Sequence, residues 1–195
     1  PHFLYNSLAS ISWLGMQNGS EEIPAISNAL ARFYRLSLSR GKNIIQVSDE
    51  ADQARAYLDV MAIRYSGRIN VLFKVSEEVA GTWTLKLVLQ PFVENALLHG
   101  LHVLKDHINV IISAEREGHL LVWKVIDDGV GIPADQLPDL NSGDGTRAGY
   151  GIANVHQRIR TYFGEEYGVT LMSEEGIGTA VRICMPLMAQ QPAEE

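Results

Sequence analysis

Asp127-Asp128-Gly129-Val130-Gly131 closes a β-like run, and Gly149-Tyr150-Gly151-Ile152 opens a helix-like run, with a polar loop between them. A lone Gly-x-Gly is usually a turn. Here it has company, because Glu94-Asn95 stands in an upstream apolar helix. A carboxylate, a carboxamide and two glycine turns can together hold a base, a magnesium ion and phosphates. The Asp127 carboxylate can accept from the exocyclic amine of adenine, whereas guanine presents a carbonyl there, so the pattern selects ATP over GTP. Gly129 and Gly131 let the backbone turn sharply and approach the base with no Cβ in the way. Asn95 supplies a hard amide oxygen for Mg²⁺, which takes few protein ligands and leaves the rest to phosphate and water. Gly149 and Gly151 precede a helix whose N-terminal amides favour the anionic phosphates.

Composition limits the alternatives. The chain has 195 residues, 46% of them hydrophobic, enough for one large domain or an ordinary domain with an appendage. A formal charge of -7 with both signs interspersed offers no cationic surface, so nucleic acid is not an expected partner. One cysteine, Cys184, excludes a disulfide within the chain and reads as a buried thiol in a reducing compartment. No apolar stretch reaches the roughly 20 residues needed to span a bilayer. The helix-like pattern starts at once with Pro1-His2-Phe3-Leu4-Tyr5-Asn6, without a capping segment, so a fragment of a longer protein is expected.

Apolar positions from Leu4 through Leu8, Ile11 and Leu14, then Ile26, Leu30, Phe33 and Leu36, predict two helices, the second capped by Ser20, in an antiparallel hairpin. Two helices make a poor core. Pairing with a second copy into a four-helix bundle would bury both stripes, and packing on the chain's own domain is the alternative. A third helix starts near Ser48. Ile69 to Val75 alternates as a strand, and Leu85 to Leu101 reads as one long apolar helix around Pro91, with a kink or a first turn at the proline. Strand pairs turn near Gly118 and at Gly176-Ile177-Gly178. The order predicts an α+β sandwich: one mixed, mainly antiparallel sheet covered by helices rather than a doubly wound sheet. The domain boundary falls near residue 45, giving 1–45, 46–189 and a frayed tail at 190–195.

The segment Leu89-Gln90-Pro91-Phe92-Val93-Glu94-Asn95-Ala96 resembles an N box, Asp127-x-Gly129-x-Gly131 a G1 box, Gly149-x-Gly151 a G2 box, and Gly176-x-Gly178-Thr179 the glycine-threonine turn that follows. Together they resemble the Bergerat-fold ATPase and kinase superfamily. Pro1-His2-Phe3-Leu4-Tyr5-Asn6-Ser7-Leu8 is similar to the phosphoacceptor motif of sensor histidine kinases of the LytS/YesM type. The resemblance covers nearly the whole chain and implies a helical dimerisation and phosphotransfer region followed by an ATP-binding catalytic domain. It implies that His2 takes the γ-phosphoryl group of Mg-ATP, in a homodimer, and passes it to an aspartate of a response regulator. The parent would be a membrane-anchored sensor with this portion in the cytoplasm.

An unprotonated imidazole nitrogen is a competent nucleophile near neutral pH. Asn6, one turn on, shares its face and could orient a water or the phosphoryl group. Ile132, Ile152 and Thr179 complete the expected cofactor-binding set with Asn95, His99, Asp127 and the four glycines. Three positions depart from the pattern of relatives. Phe3 replaces the acidic residue that often follows the histidine. Pro91 stands four residues before Asn95, where hydrolytic Bergerat ATPases carry a glutamate, which favours transfer over hydrolysis. Leu98 occupies a position often basic, leaving Lys105, Arg147 and Arg158 as phosphate-binding candidates or ordinary surface charges. Glu94 is a base or metal-shell candidate, or a solvated carboxylate. His99 and His102 share a helix face, but no third ligand supports zinc. A silent dimeric scaffold and a hydrolytic ATPase are the competing functions. The loop from Ile132 to Ala148 reads as an ATP lid.

Overall fold

The computed structural model describes residues 2–38, 43–65, 67–101, 107–137, 140 and 150–192, with the side chains of 99, 101 and 150 left aside. Helices α1 (His2–Gln17) and α2 (Glu22–Ser37) form the antiparallel hairpin. Tyr5 near the start of α1 lies under the Arg35 guanidinium near the end of α2, 5.9 Å from ring centroid to cation. Gly15 permits the close approach at the turn, since a Cβ there would stand 2.6 Å from the Ile23 side chain. Ser20 Oγ accepts from the Ile23 N–H at 3.3 Å, the capping role its position predicts.

The packing of the hairpin is divided. α2 lies on α3 (Val47–Arg64), where Phe33 meets Tyr57 at 5.9 Å between centroids and Arg32 reaches Asp59 at 3.6 Å. α1 buries Leu8, Ser12 and Gly15 but leaves Phe3, Ile11, Trp13, Leu14 and Met16 exposed. Trp13 is thus more than half exposed, unlike Trp123, which is fully buried with its Nε1 donating to Thr84 Oγ1 at 3.2 Å.

The apolar run from Leu85 does not form one helix. Strand β3 (Trp83–Leu85) pairs antiparallel with β1 (Ile44–Gln46), and the helix α5 (Gln90–Leu101) begins only after a turn at 86–89. Pro91 thus sits in the first turn, where a missing N–H leaves no intrahelical bond unmade. The main sheet contains β2 (Ile69–Val75), β4 (Ile108–Glu117), β5 (Leu120–Asp127), β6 (Gly168–Glu174) and β7 (Gly178–Pro186) in the order β2-β4-β5-β7-β6. Only the β2–β4 pair is parallel, and its crossover runs through α4 (Glu77–Ala80), β3 and α5. α3, α5 and α6 (Tyr150–Phe163) cover one face of the sheet, with Leu89, Val93, Ile112, Trp123, Ile159 and Ile183 in the shared core. On the other face Val122 and Cys184 are buried at the centre, but the β2 edge is exposed, which explains the strict alternation along β2, where Asn70, Leu72 and Lys74 point to solvent.

Cys184 is a buried free thiol whose Sγ accepts from Arg182, and burial pushes its pKa up. Met188 pairs with Trp83 and ties the C-terminal segment down as far as that residue. No helix among the described residues is long and apolar enough to cross a membrane.

Candidate nucleotide site

Helix α5 works as a beam to which the other elements of the site attach. Near its start, Pro91 meets the first turn of α6, because a Cβ built on Gly151 would stand 3.1 Å from Pro91 Cβ. Near its end, Gly100 meets the chain leaving β5, because a Cβ on Gly129 would stand 3.4 Å from Gly100 Cα. Asn95 and Glu94 lie between these two contacts, both half-buried. The glycines are needed here for close approach, of Gly129 to the Gly100 backbone and of Gly151 to the Pro91 ring, rather than for flexibility.

Asp127, the last residue of β5, is half-buried, and its Oδ1 accepts from the Gly129 N–H at 2.9 Å, a side-chain turn that fixes the carboxylate at the strand end. Its neighbour is committed elsewhere: Asp128 accepts from the Asn109 N–H at 2.8 Å and from Asn109 Nδ2 at 2.6 Å, tying the turn to β4. The second acidic residue thus anchors the loop on which the first is presented.

The third glycine turn locks onto the first. Gly131 has φ +68°, and a Cβ there would lie 1.9 Å from the Glu174 carbonyl oxygen; at Gly178, with φ +144°, it would lie 2.1 Å from the Asp127 carbonyl oxygen. The Gly176 N–H donates to the Val130 carbonyl at 2.7 Å. Thr179 is the cross-strand neighbour of Asp127. Its hydroxyl lies 2.8 Å from Ser173 Oγ, which also accepts from the Ile132 N–H at 2.8 Å and donates to the Gly178 carbonyl at 2.9 Å. Ser173 therefore joins both turns, a role with no signal in the sequence, because its partners come from two separate stretches, one of them 41 residues away.

Glu94 accepts from Gln90 Nε2 at 2.7 Å. Burial, followed by the Glu94 charge, pushes the Tyr57 hydroxyl up to about 12, so Glu94 also acts electrostatically on α3. Ile152 is buried on α6 beside the α5 contact. Arg158, further along α6, donates through Nη2 to the Lys86 carbonyl at 2.9 Å. His2 and Asn6 are exposed on α1. Gly149, Lys105, Arg147, His102 and most of the expected lid lie outside the described residues, as does the His99 side chain.

The donor set suits magnesium held chiefly through phosphates. Among the described residues there is no group of three or more His, Cys, Asp or Glu side chains able to enclose a metal, while Asn95 offers one hard oxygen. At Gly129, Gly131 and Gly151 an added Cβ would press on protein already packed there, on the Asp127 carboxylate, the Glu174 carbonyl and the Pro91 ring, so these glycines hold the turns and helices of the site together.

Comparison with known proteins identifies the family. The family model described as Histidine kinase matches residues 1–69, and the one described as Histidine kinase-, DNA gyrase B-, and HSP90-like ATPase matches residues 82–189. Sensor histidine kinase YesM of Bacillus subtilis is 33% identical over 186 residues, covering 95% of this chain and 31% of YesM. Sensor histidine kinase BtsS of Escherichia coli is 32% identical over 186 residues, with the same coverage of 95% and 31%. Sensor protein LytS of Bacillus subtilis is 29% identical, covering 100% of this chain and 33% of its own length. The chain thus spans about a third of these relatives. Among solved structures, the histidine kinase domain of a blue-light activated kinase from Erythrobacter litoralis superposes with TM-score 0.53 at 17% identity, covering 95% of this chain and 93% of that one. Full-length ShkA in complex with AMPPNP superposes with TM-score 0.56 at 18% identity, covering 86% and 36%. These two similarities concern the fold.

Proposed function

Because the chain belongs to the histidine kinase-, DNA gyrase B- and HSP90-like ATPase family and is homologous to sensor histidine kinases, we propose that it is the kinase core of a two-component sensor. In this reading, His2 is phosphorylated from Mg-ATP and passes the phosphoryl group to an aspartate of a response regulator. The observation that carries it is the arrangement around α5, which fixes Asn95 between the Gly129 and Gly151 contacts, with Asp127 presented at the strand end. Residues 1–45 form the dimerisation and phosphotransfer region, 46–189 the catalytic domain and 190–195 the tail.

Asp127 would accept from the adenine amine, Asn95 would ligate Mg²⁺, and the first turn of α6 would face the phosphates. Bound Mg-ATP supplies the activated phosphoryl group and the countercharge for its transfer. An unprotonated ring nitrogen of His2 forms the new P–N bond as the bond to the ADP oxygen breaks, and Asn6 orients the incoming group. The exposure of His2 on α1 leaves it accessible to a phosphoryl donor and then to a receiver domain. The apolar side chains left open on α1 favour pairing with a second copy, which would bury them in a four-helix bundle. The parent is proposed to be a membrane-anchored sensor carrying this part in the cytoplasm.

Pro91 supports transfer over hydrolysis. It packs on Gly151 and carries no group able to activate a water. The test is incubation with γ-labelled ATP and Mg²⁺. An acid-labile, base-stable protein label that is absent from His2→Ala supports the assignment. Label persisting in His2→Ala removes the assigned acceptor. Free phosphate without labelled protein points to an ATPase, and nucleotide binding with neither product points to a silent scaffold.

A further inference from the structure

The turn at 86–89, between β3 and α5, carries a set of contacts that the nucleotide chemistry does not use. Glu50, on the first turns of α3 and 2% exposed, grips this turn with both oxygens: Oε2 accepts from the Leu87 N–H at 2.8 Å and Oε1 from the Leu89 N–H at 3.0 Å. Leu87 has φ +60°, the only positive φ at a non-glycine among the described residues. Such a conformation persists only where its surroundings hold it. Two residues on, the Leu89 carbonyl accepts the first backbone bonds of α5, from Phe92 and Val93, each at 3.1 Å. Glu50 therefore sets where α5 starts, and so where Asn95 stands.

The same turn reaches the end of the hairpin. Lys86 is 8% exposed, and its Nζ donates to the carbonyl of Ser37, the last residue of α2, at 2.5 Å. A cation at a helix C-terminus is favoured by the helix dipole as well as by the hydrogen bond. Gln53 of α3 donates to Ser37 Oγ at 3.0 Å and secures the same point. Lys86 also takes part through its backbone, since its carbonyl accepts from Arg158 of α6. One four-residue turn is thereby joined to the last residue of α2, to α3, to the start of α5 and to α6.

We propose that Glu50 and Lys86 are positioning residues for phosphoryl transfer: Glu50 holds α5 in register for Mg-ATP, and Lys86 ties that register to the end of the phosphoacceptor hairpin. The proposal rests on the kinase reading above. Its two halves predict different losses. Without the Glu50 grip, the turn relaxes and α5 shifts, so nucleotide binding weakens. Without the Lys86 tether, the nucleotide site stays formed and α2 still packs on α3, but the end of the hairpin loses its direct tie to the turn that starts α5, so transfer slows at saturating ATP.

The experiment measures Mg-ATP affinity by calorimetry and His2 labelling at saturating ATP, on variants shown by thermal unfolding to be folded at the assay temperature. Glu50→Gln keeps the size but turns one acceptor into a donor facing an N–H; it is expected to weaken Mg-ATP binding about tenfold or more, as a misplacement of about 1 Å would. Lys86→Met keeps the stem and loses the donor; it is expected to leave affinity within about twofold and to slow labelling about tenfold, and Lys86→Arg, which restores a donor, should recover the rate. A merely structural role would lower the melting temperature without separating affinity from rate. Wild-type affinity in folded Glu50→Gln overturns the first half, and wild-type labelling in Lys86→Met overturns the second. If Glu50→Gln does not fold, the split between Lys86→Met and Lys86→Arg decides the proposal. If the wild-type chain binds Mg-ATP but is never labelled, the kinase reading fails, while the Glu50 affinity measurement still decides its own half.

Discussion

Gly151 and Pro91 leave little room for a side chain between them, since a Cβ on Gly151 would lie 3.1 Å from Pro91 Cβ and 3.6 Å from its Cγ. This contact brings the first turn of α6 to the first turn of α5. Replacing Gly151 by Ala has two opposed effects. Alanine favours a helical position over glycine, by less in a first turn than the roughly 1 kcal/mol of a helix interior, while Pro91 must yield by a few tenths of an ångström and α6 is pushed from α5. Stability is expected to change by less than about 1 kcal/mol, whereas Mg-ATP affinity falls severalfold. Urea unfolding and a nucleotide titration on the same sample check both. Undiminished affinity would show that the separation of α5 and α6 does not matter for binding.

Gly131 and Gly176 separate two reasons for glycine. Both have positive φ, +68° and +80°, but a Cβ at Gly131 would collide with the Glu174 carbonyl, whereas at Gly176 it would meet nothing within 4 Å. Gly176→Ala should therefore cost only the conformational penalty, about 1 to 2 kcal/mol. Gly131→Ala should cost distinctly more and should lower Mg-ATP affinity, because the turn carrying Asp127 must move off the β6–β7 hairpin. Equal losses in urea unfolding would refute the distinction.

Asn95→Ala removes the oxygen assigned to Mg²⁺ at a half-buried position of α5. Alanine is a good helix former, so the helix itself should not suffer. Binding of Mg-ATP should weaken by about tenfold or more, while binding of nucleotide in excess chelator changes little, because the lost interaction runs through the metal. An equal loss with and without Mg²⁺ would take Asn95 out of the metal shell and make it a direct nucleotide contact.

The fold was legible in strand alternation and turn signals, and so was the local turn in which Asp127 accepts from the Gly129 N–H, whereas the roles of Asp127 and Asn95 toward a nucleotide belong to the proposed function. Three things were not legible. Strand β3 lay hidden in the apolar run before Pro91, because a three-residue buried strand and the start of a buried helix share one pattern, and only its pairing with Ile44–Gln46 separates them. Ser173 is an ordinary strand serine until the fold brings Ile132 and Thr179 to it. Glu50 reads as the acidic first turn of a helix, although its partners are backbone N–H groups of residues 87 and 89. Side chains that satisfy distant backbone carry no spacing signal.

His156 gives the catalytic domain a pH dependence whose sign can be worked out. It is 6% exposed on α6, its Nδ1 accepts from the Val169 N–H at 3.0 Å, and its Nε2 has no partner among the described residues. Burial, then the Arg160 charge, lowers its pKa, and the hydrogen bond from Val169 only partly opposes them. With the folded value below the unfolded one, acidification protonates the unfolded chain first. This group therefore costs nothing above about pH 6.5, and it destabilises the fold progressively as pH falls below that value, until the folded imidazole itself titrates. Asn in its place can offer an oxygen near the Nδ1 position and does not titrate. The stability difference between wild type and His156→Asn should accordingly shift against the wild type between about pH 7.5 and about pH 5, while the slopes due to other groups cancel. Denaturant unfolding of both proteins across that range measures it. A difference that does not vary with pH would mean that His156 takes up its proton equally readily in the folded and unfolded chains.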